Sequence, residues 1–253
     1  MDSKKRFSDR VDNYVKYRPD YPIELINVLK EKCGLSAAKV IADIGSGTGK
    51  LTSLLISHCF TIYAVEPNYE MSHAAEQTLG HDHRFVSINA SAEETTLNSH
   101  SIDIITVAQS FHWFDRLRTK TEFRRILKKN GWVVLIWNER DINDSQFQID
   151  YDAMLKSFIP EYSLVDHKNI DPSVISEFFH PNTWELITLK NFQEFDYVGL
   201  KGRLLSSSYT PNVGHPAHRP LIDELEKLFA RHAINGNVRF DYNTKIYIGH
   251  LLT

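Results

Sequence analysis

Cysteine is scarce: 253 residues contain two, Cys33 and Cys59. They have neither the spacing of a zinc ribbon nor that of a redox pair, so no disulfide framework is expected. Both thiols should be free and buried, in a reducing compartment. Long hydrophobic runs are missing too. Nowhere do eighteen apolar residues follow one another, and the opening MDSKKRFSDR is charged with no apolar centre. Neither a membrane span nor a secretory leader is therefore expected, and the cytoplasm is the expected location. Positive charge is not in excess, with 29 Lys and Arg against 32 Asp and Glu. The net charge of −3 gives no general basic field for nucleic acid or an anionic membrane, and Arg124-Arg125 and Lys128-Lys129 read as solvated helix face. His81-Asp82-His83 and the pair His215 and His218 have no third ligand at convincing spacing, so no metal is expected. Repeats, low-complexity tracts and flexible interdomain linkers do not stand out either.

What is present is the composition of an ordinary globular protein, 42% hydrophobic and 24% charged, long enough to bury a sizeable core in one large α/β domain. From Lys39 to Trp137 the short apolar runs VIADI, FTIYAV, RFVSI, IDIITVA and WVVLIW alternate with stretches of helical spacing such as Lys50 to His58 and Asn68 to Leu79. Nearly continuous apolar runs suit strands covered on both faces, which predicts an open, mostly parallel, doubly wound sheet. Ligands of such sheets bind beyond the carboxyl ends of the strands, so function is expected in the residues just after each run. Before Lys39, PIELINVLKEKCG reads as a helix stopped at Gly34. After Trp137, Asp141 to Asn182 reads as mainly helical, TWELITLKNFQEFDY as a strand pair and PLIDELEKLFARH as an amphipathic helix. VRFDYNTKIYIGHLL reads as a final strand, or two.

The stretch VIADIGSGTGK, Val40 to Lys50, places three glycines in five positions after the first run. A glycine-rich strand-to-helix turn admits a ligand closer than a β-carbon allows, and phosphate is the usual guest. The dinucleotide pattern G-x-G-x-x-G fails here, because Lys50 stands where the third glycine belongs. The phosphate-loop pattern G-x-x-x-x-G-K-[ST] fails as well, since Leu51 follows the lysine. Asp43 enters the loop and Glu66 ends the second run. An acid in the second position takes both ribose hydroxyls in adenosyl ligands generally. A carboxylate beside the turn would repel pyrophosphate and favour the ammonium and sulfonium of S-adenosylmethionine.

With these residues the sequence resembles the class I S-adenosylmethionine-dependent methyltransferases, in the small-molecule branch that includes trans-aconitate methyltransferase-like proteins. The resemblance rests on IADIGSGTGKLT, YAVEPNYEM, INASAEETTL, IDIITVAQSFHWFD and FRRILKKNGWVVLIW in that order, and more loosely on FSDRVDNYVKYRPDYP and GRLLSSSYTP. It implies a seven-stranded Rossmann-like sheet with an antiparallel last strand, an amino-terminal helical arm and a helical lid insertion. One domain would then divide into an arm or cap (1–38), a cofactor-binding core (39–140), the remaining core strand with the lid (141–236) and the final strand (237–253). It further implies that Asp43, Gly45 and Gly47 contact the methionine end of S-adenosylmethionine and that Glu66 holds the ribose. Pro67 and Asn68 would border the adenine, Ser91, Ala92 and Glu93 would lie along it, and Gln109 would line the methionine end. Ser91 departs from the aspartate many relatives carry there, and Lys129-Asn130-Gly131 departs from their proline-glycine-glycine turn.

Acceptor-side candidates are less sharply marked. His112, in QSFHWFD, is placed at the pocket mouth as a possible general base, beside Trp113; the plainer reading packs Phe111, Trp113 and Phe114 in the core. Arg18 on the arm pairs with a substrate carboxylate or lies at the surface. Tyr14, Tyr17 and Tyr21 close over the sulfonium or pin the arm. Arg203, Ser207 and Tyr209 are lid candidates, against a plain helix end and serine-rich turn. The expectation is methyl transfer by SN2-like displacement to a small molecule, at a carboxylate or hydroxyl oxygen. No nucleic-acid or membrane partner is expected, and the oligomeric state, monomer or dimer, is open. The alternatives are a non-catalytic S-adenosylmethionine-binding partner protein and an NAD-linked oxidoreductase.

Overall fold

A computed structural model describes residues 11–160, 162, 171–207 and 209–251. The first ten residues of the expected arm and the side chain of Tyr14 lie outside what is described. Seven strands form one sheet: β1 (Val40–Ile44), β2 (Thr61–Val65), β3 (Phe85–Ile88), β4 (Ile102–Ala108), β5 (Leu127–Arg140), β6 (Trp184–Phe195) and β7 (Val238–His250). Their order is β3-β2-β1-β4-β5-β7-β6. The first five run parallel, and β7 lies antiparallel to both β5 and β6. The chain order reverses between β1 and β4, which is the switch point where open α/β sheets receive ligands.

Alternate residues of each inner strand feed opposite faces. Ala42, Ile44, Val107, Leu135 and Trp137 pack one way, with Phe123 and Ile126 of α5 (Arg116–Ile126) and Phe178 and Phe179 of α7 (Pro172–Phe179). Ile41, Ile62, Ile104, Val134 and Ile136 pack the other way, with Leu25 and Leu29 of α2 (Leu25–Cys33) and Leu51 and Leu55 of α3 (Lys50–Leu55). Two buried faces explain why the runs read as continuous rather than alternating. The helices begin where polar side chains take up their first N–H groups: Asn68 accepts from Met71 to start α4 (Tyr69–Leu79), and Asp115 accepts from Leu117 and Arg118 to start α5. Gly34, at φ 65°, stops α2 as expected.

The later helices build a core of their own. Phe147, Tyr151 and Leu155 of α6 (Gln146–Phe158), Leu200 and Leu204 of α8 (Tyr197–Leu205), and Leu221 and Leu225 of α9 (His218–His232) close over Phe240 and Tyr242 at the start of β7. One expectation is corrected here. TWELITLKNFQEFDY is one strand and not a pair, because β6 pairs without a break from Trp184 opposite Gly249 to Phe195 opposite Val238. Likewise the closing run is the single strand β7.

The arm crosses the carboxyl edge of the sheet. After α1 (Val11–Tyr17) the Asp20 carbonyl accepts from Asn138 at 3.2 Å and Asn191 at 2.7 Å, and Arg18 donates to the Ser206 carbonyl at 3.2 Å. The Tyr17 ring lies against Gly202 of α8, where a β-carbon would overlap it. Gly202→Ala should therefore lift the arm, at a cost of about 2 kcal/mol or roughly thirty-fold in the undocked fraction. Limited trypsin digestion after Lys16 measures it; cleavage at the wild-type rate would show that this contact does not hold the arm.

Candidate functional site

The glycine loop leaves β1 over the end of β2. Gly45 and Ser46 donate N–H groups to the Val65 carbonyl at 2.8 and 3.2 Å. Gly45 and Gly47 take φ values of 66° and 57°, in the left-handed region that side chains disfavour. Their surroundings differ. A β-carbon on Gly45 would sit 2.5 Å from Ser110 Oγ, whereas one on Gly47 would meet only Met71 Sδ at 3.8 Å. Gly47 is thus uncrowded, with only Met71 in ordinary van der Waals range, while Gly45 is small because the loop after β4 crowds it. Gly49 serves packing, letting α3 approach Ala75 and Leu79 of α4.

Glu66 stands beneath Gly47. Its Oε2 accepts the Gly47 N–H at 2.9 Å and its Oε1 the Asn68 N–H at 2.8 Å. Burial raises its pKa, the two backbone donors lower it and Asp43 raises it, with a net upward shift. Asp43 is 1% exposed and lies below the loop rather than in its opening, accepting from Thr52 Oγ1 at 2.7 Å and Thr106 Oγ1 at 2.9 Å. Burial pushes its carboxyl up to about 6 against the restraint of those two hydroxyls. The Asp43 side chain thus joins β1, α3 and β4, and any influence on a ligand is through its charge.

The opposite wall comes from the loop after β4. Gln109 holds a φ of 59°, an uncommon conformation for a side-chain-bearing residue, with its N–H on the Ile136 carbonyl at 2.9 Å and its Nε2 toward the Asn138 carbonyl at 3.4 Å. Ser110 Oγ donates to the Ile44 carbonyl at 3.1 Å, fastening this loop to the glycine loop. After β3, Ala92 is buried, Ser91 bridges to Glu94, and the Glu93 carboxylate accepts the Asp115 N–H at 2.9 Å. Pro67 is half-buried between Glu66 and the start of α4.

His112 and Trp113 lie in a 3₁₀ turn, Phe111–Trp113, with ring centroids 4.7 Å apart. His112 lines a cavity of about 630 Å³ between the start of α5 and α7, shared with Phe114, Asp115, Lys120 and Glu177. Phe114 Cζ also comes within 3.2 Å of a β-carbon placed on Gly45, so one ring separates this cavity from the loop. Phe111 is core, packed edge-on against Trp137 and Phe178. Tyr21 packs on the α2 and α3 face of the core. Among the described residues no group of three His, Cys, Asp or Glu side chains is placed to hold a metal ion.

The lid brings together Arg203, Ser207 and Tyr209 with residues not singled out in the sequence. Arg203 is 7% exposed and donates to the Tyr242 hydroxyl at 3.4 Å and to Ser207 Oγ at 3.3 Å. Tyr209 meets Tyr162 edge-on at 5.2 Å. Arg140, at the end of β5, reaches the same place, bonded to Asp152 at 3.2 Å and to the Tyr162 hydroxyl. The signal for Arg140 was available: it follows WVVLIW, and the residues after each run are where ligands are met. Ser110 was legible on the same grounds.

Strand order, switch point, glycine loop and the acid after β2 together define a class I methyltransferase fold. Residues 42–135 match the family model described as a methyltransferase domain. An uncharacterised methyltransferase of Mycobacterium tuberculosis is 37% identical over 135 residues, 53% of this chain and 53% of the relative. A Schizosaccharomyces pombe methyltransferase-like protein is 33% identical over 54% of this chain and 53% of its own. The alignments thus span about half the length of these curated relatives. Among solved structures, a type II methyltransferase of Anaeromyxobacter dehalogenans aligns over 93% of this chain and 99% of its own, with TM-score 0.66 and 21% identity. Phosphoethanolamine N-methyltransferase 2 of Haemonchus contortus, solved with S-adenosyl-L-methionine, aligns over 100% of this chain and 61% of its own, with TM-score 0.59 and 15% identity. At those identities the likeness establishes the fold.

Asp43 generates a pH prediction. Its folded-state pKa, about 6, lies above the ordinary 3.8, so the fold binds this proton more tightly than the unfolded chain does. The resulting stability is complete at low pH and is lost as pH rises through about 6. Asp43→Asn removes the titration, so its unfolding free energy relative to wild type should rise by up to about 3 kcal/mol between about pH 4 and pH 7. Urea unfolding of both proteins across that range measures it; a constant difference would refute the assignment.

Proposed function

We propose that the protein is an S-adenosylmethionine-dependent methyltransferase that transfers a methyl group by SN2-like displacement to a small-molecule acceptor, at a carboxylate or hydroxyl oxygen. The observation that carries this reading is the Glu66 carboxylate fixed by the Gly47 and Asn68 N–H groups beneath an uncrowded glycine loop. A carboxylate so held keeps further lone pairs for a ribose, and its two backbone donors aim it before a ligand arrives. The acidic setting of Glu66 and Asp43 suits a ligand carrying ammonium and sulfonium charge and disfavours a pyrophosphate. Gln109 belongs with the methionine end, and Pro67, Ser91, Ala92 and Glu93 with the adenine. When bound, the cofactor supplies an electrophilic methyl on a positively charged sulfur. The chain's part is to align an acceptor oxygen behind that methyl and exclude water, which a carboxylate acceptor needs without any base. His112 would serve a hydroxyl acceptor from the cavity it lines.

Thermal unfolding with S-adenosylhomocysteine, S-adenosylmethionine or NADH tests the cofactor. At a hundred times its dissociation constant a ligand adds about 2.7 kcal/mol, so the two adenosyl-sulfur ligands should raise the melting temperature and NADH should not. The reverse pattern would make the protein a nicotinamide enzyme, and tight binding without turnover on any acceptor would make it a binding partner only. Glu66→Gln should weaken S-adenosylhomocysteine at least ten-fold by calorimetry, since a charge-assisted bond to the ribose is replaced by a weaker one. Unchanged affinity would remove Glu66 from the site.

A further inference from the structure

A second charged centre lies beyond the loop after β4, and the cofactor contacts leave it unused. Arg140 and Arg203 come together at the carboxyl end of β5, from the strand and from α8: Arg140 stands opposite Tyr242 in the β5–β7 register, and Arg203 donates to the Tyr242 hydroxyl at 3.4 Å. Arg140 lies over the Tyr151 ring at 5.1 Å, gives one nitrogen to Asp152 and Tyr162, and leaves Nη1 buried with no hydrogen-bond partner among the described residues. The hydrogen bonds of Arg203 go to two hydroxyls, and among the described residues no carboxylate lies within ion-pair distance of it. Asp152 is shared further with Lys156, at 2.7 Å. Two largely buried guanidiniums are therefore set against one carboxylate on which Lys156 also draws, so at least one positive charge stays uncompensated among the described groups. Buried charge is expensive unless it is paired, and a buried orphan donor adds a smaller cost of its own.

The location gives that charge a use. Asn138, two residues before Arg140 on β5, takes the Gln109 side chain on its carbonyl, so Arg140 stands about 7 Å further along the strand from the methionine end of the proposed cofactor site. Ser207, held by Arg203, adjoins Ser206, whose carbonyl is held by Arg18 of the arm. We propose that Arg140 and Arg203 form an anion-binding subsite of the acceptor pocket that seats the carboxylate of an acidic small molecule. The guanidinium fork matches a planar carboxylate, and a single residual charge matches a monoanion better than a doubly charged phosphoester. The bonds made are hydrogen bonds and ion pairs only; the anchoring carboxylate stays ionised and another part of the molecule lies toward the cofactor. The assignment of the anion to a methyl acceptor rests on the methyltransferase reading, whereas anion binding itself does not.

The test therefore needs no cofactor. Thermal unfolding and calorimetry of the full chain with succinate, glutarate and benzoate, at matched ionic strength, are compared with dimethyl succinate and inorganic phosphate. The carboxylates should stabilise the protein, and the diester and phosphate should not. Arg140→Gln and Arg203→Gln should each weaken carboxylate binding at least ten-fold while S-adenosylhomocysteine affinity stays within three-fold. Arg140→Lys, which keeps the charge and loses the fork, should fall between them. If the Gln variants do not fold, as judged by circular dichroism, phenylglyoxal labelling of the wild type replaces them, with succinate slowing modification of Arg140 and Arg203 but not of exposed Arg116. No binding by any of the carboxylates, phosphate binding as strongly as they do, or binding and labelling indifferent to these two arginines would overturn the proposal. Failure of S-adenosylhomocysteine to bind with the anion results intact would instead overturn the cofactor reading.

Discussion

The rest of the site depends on the Asp43 carboxylate and the two threonine hydroxyls that hold it. One oxygen takes Thr52 from the helix after the glycine loop and the other takes Thr106 from the neighbouring strand. Sealed from water, these bonds set together where β1 ends, where α3 begins and how β4 lies alongside, because a shift in any one would leave a buried polar group unmet. The glycine loop is stretched between fixed ends. Its first two N–H groups reach the Val65 carbonyl and its third reaches Glu66, so the loop's shape and the acid's aim come from one arrangement.

The carboxyl edge of the sheet is divided in charge. Beyond β1 and β2 lie two buried acids, both pushed up by burial; beyond β5 lie two largely buried arginines, each donating to a tyrosine hydroxyl. Gln109 and Asn138 stand between. In a low-dielectric interior such a division is felt strongly by charged guests, and it suits a positively charged donor on one side with a negatively charged acceptor on the other. The arm ties both halves, since Lys50 at the glycine loop pairs with Asp20 at 2.6 Å while Asp20 also meets Asn138 and Asn191.

Much of this was legible in residue order. The parallel strands show as apolar runs because both faces are covered, and the turn after β1 shows because left-handed backbone and close approach demand glycine. Glu66 shows because it ends a strand beside that turn. The long antiparallel strand β6 did not read correctly: its alternating pattern, with Lys190-Asn191 at its centre, looks like a hairpin until the unbroken partner β7 is seen. Gly202 reads as a plain helical glycine until the Tyr17 ring is found on it. In each case the missing information was the identity of a partner distant in the chain.

By itself the sequence determined the class of fold, the edge of the sheet where a site was to be sought and the residues of the glycine loop, because periodicity and turn chemistry are local properties written in neighbouring residues. Only the tertiary structure decided that Asp43 is used beneath the loop and not in its opening, that Gly45 and Gly47 are small for different reasons, and that Arg140 comes to Arg203. Those outcomes turn on burial and on which side chains meet across strands and helices. Neither quantity is fixed until the sheet has closed its two faces and the lid has packed on its own core.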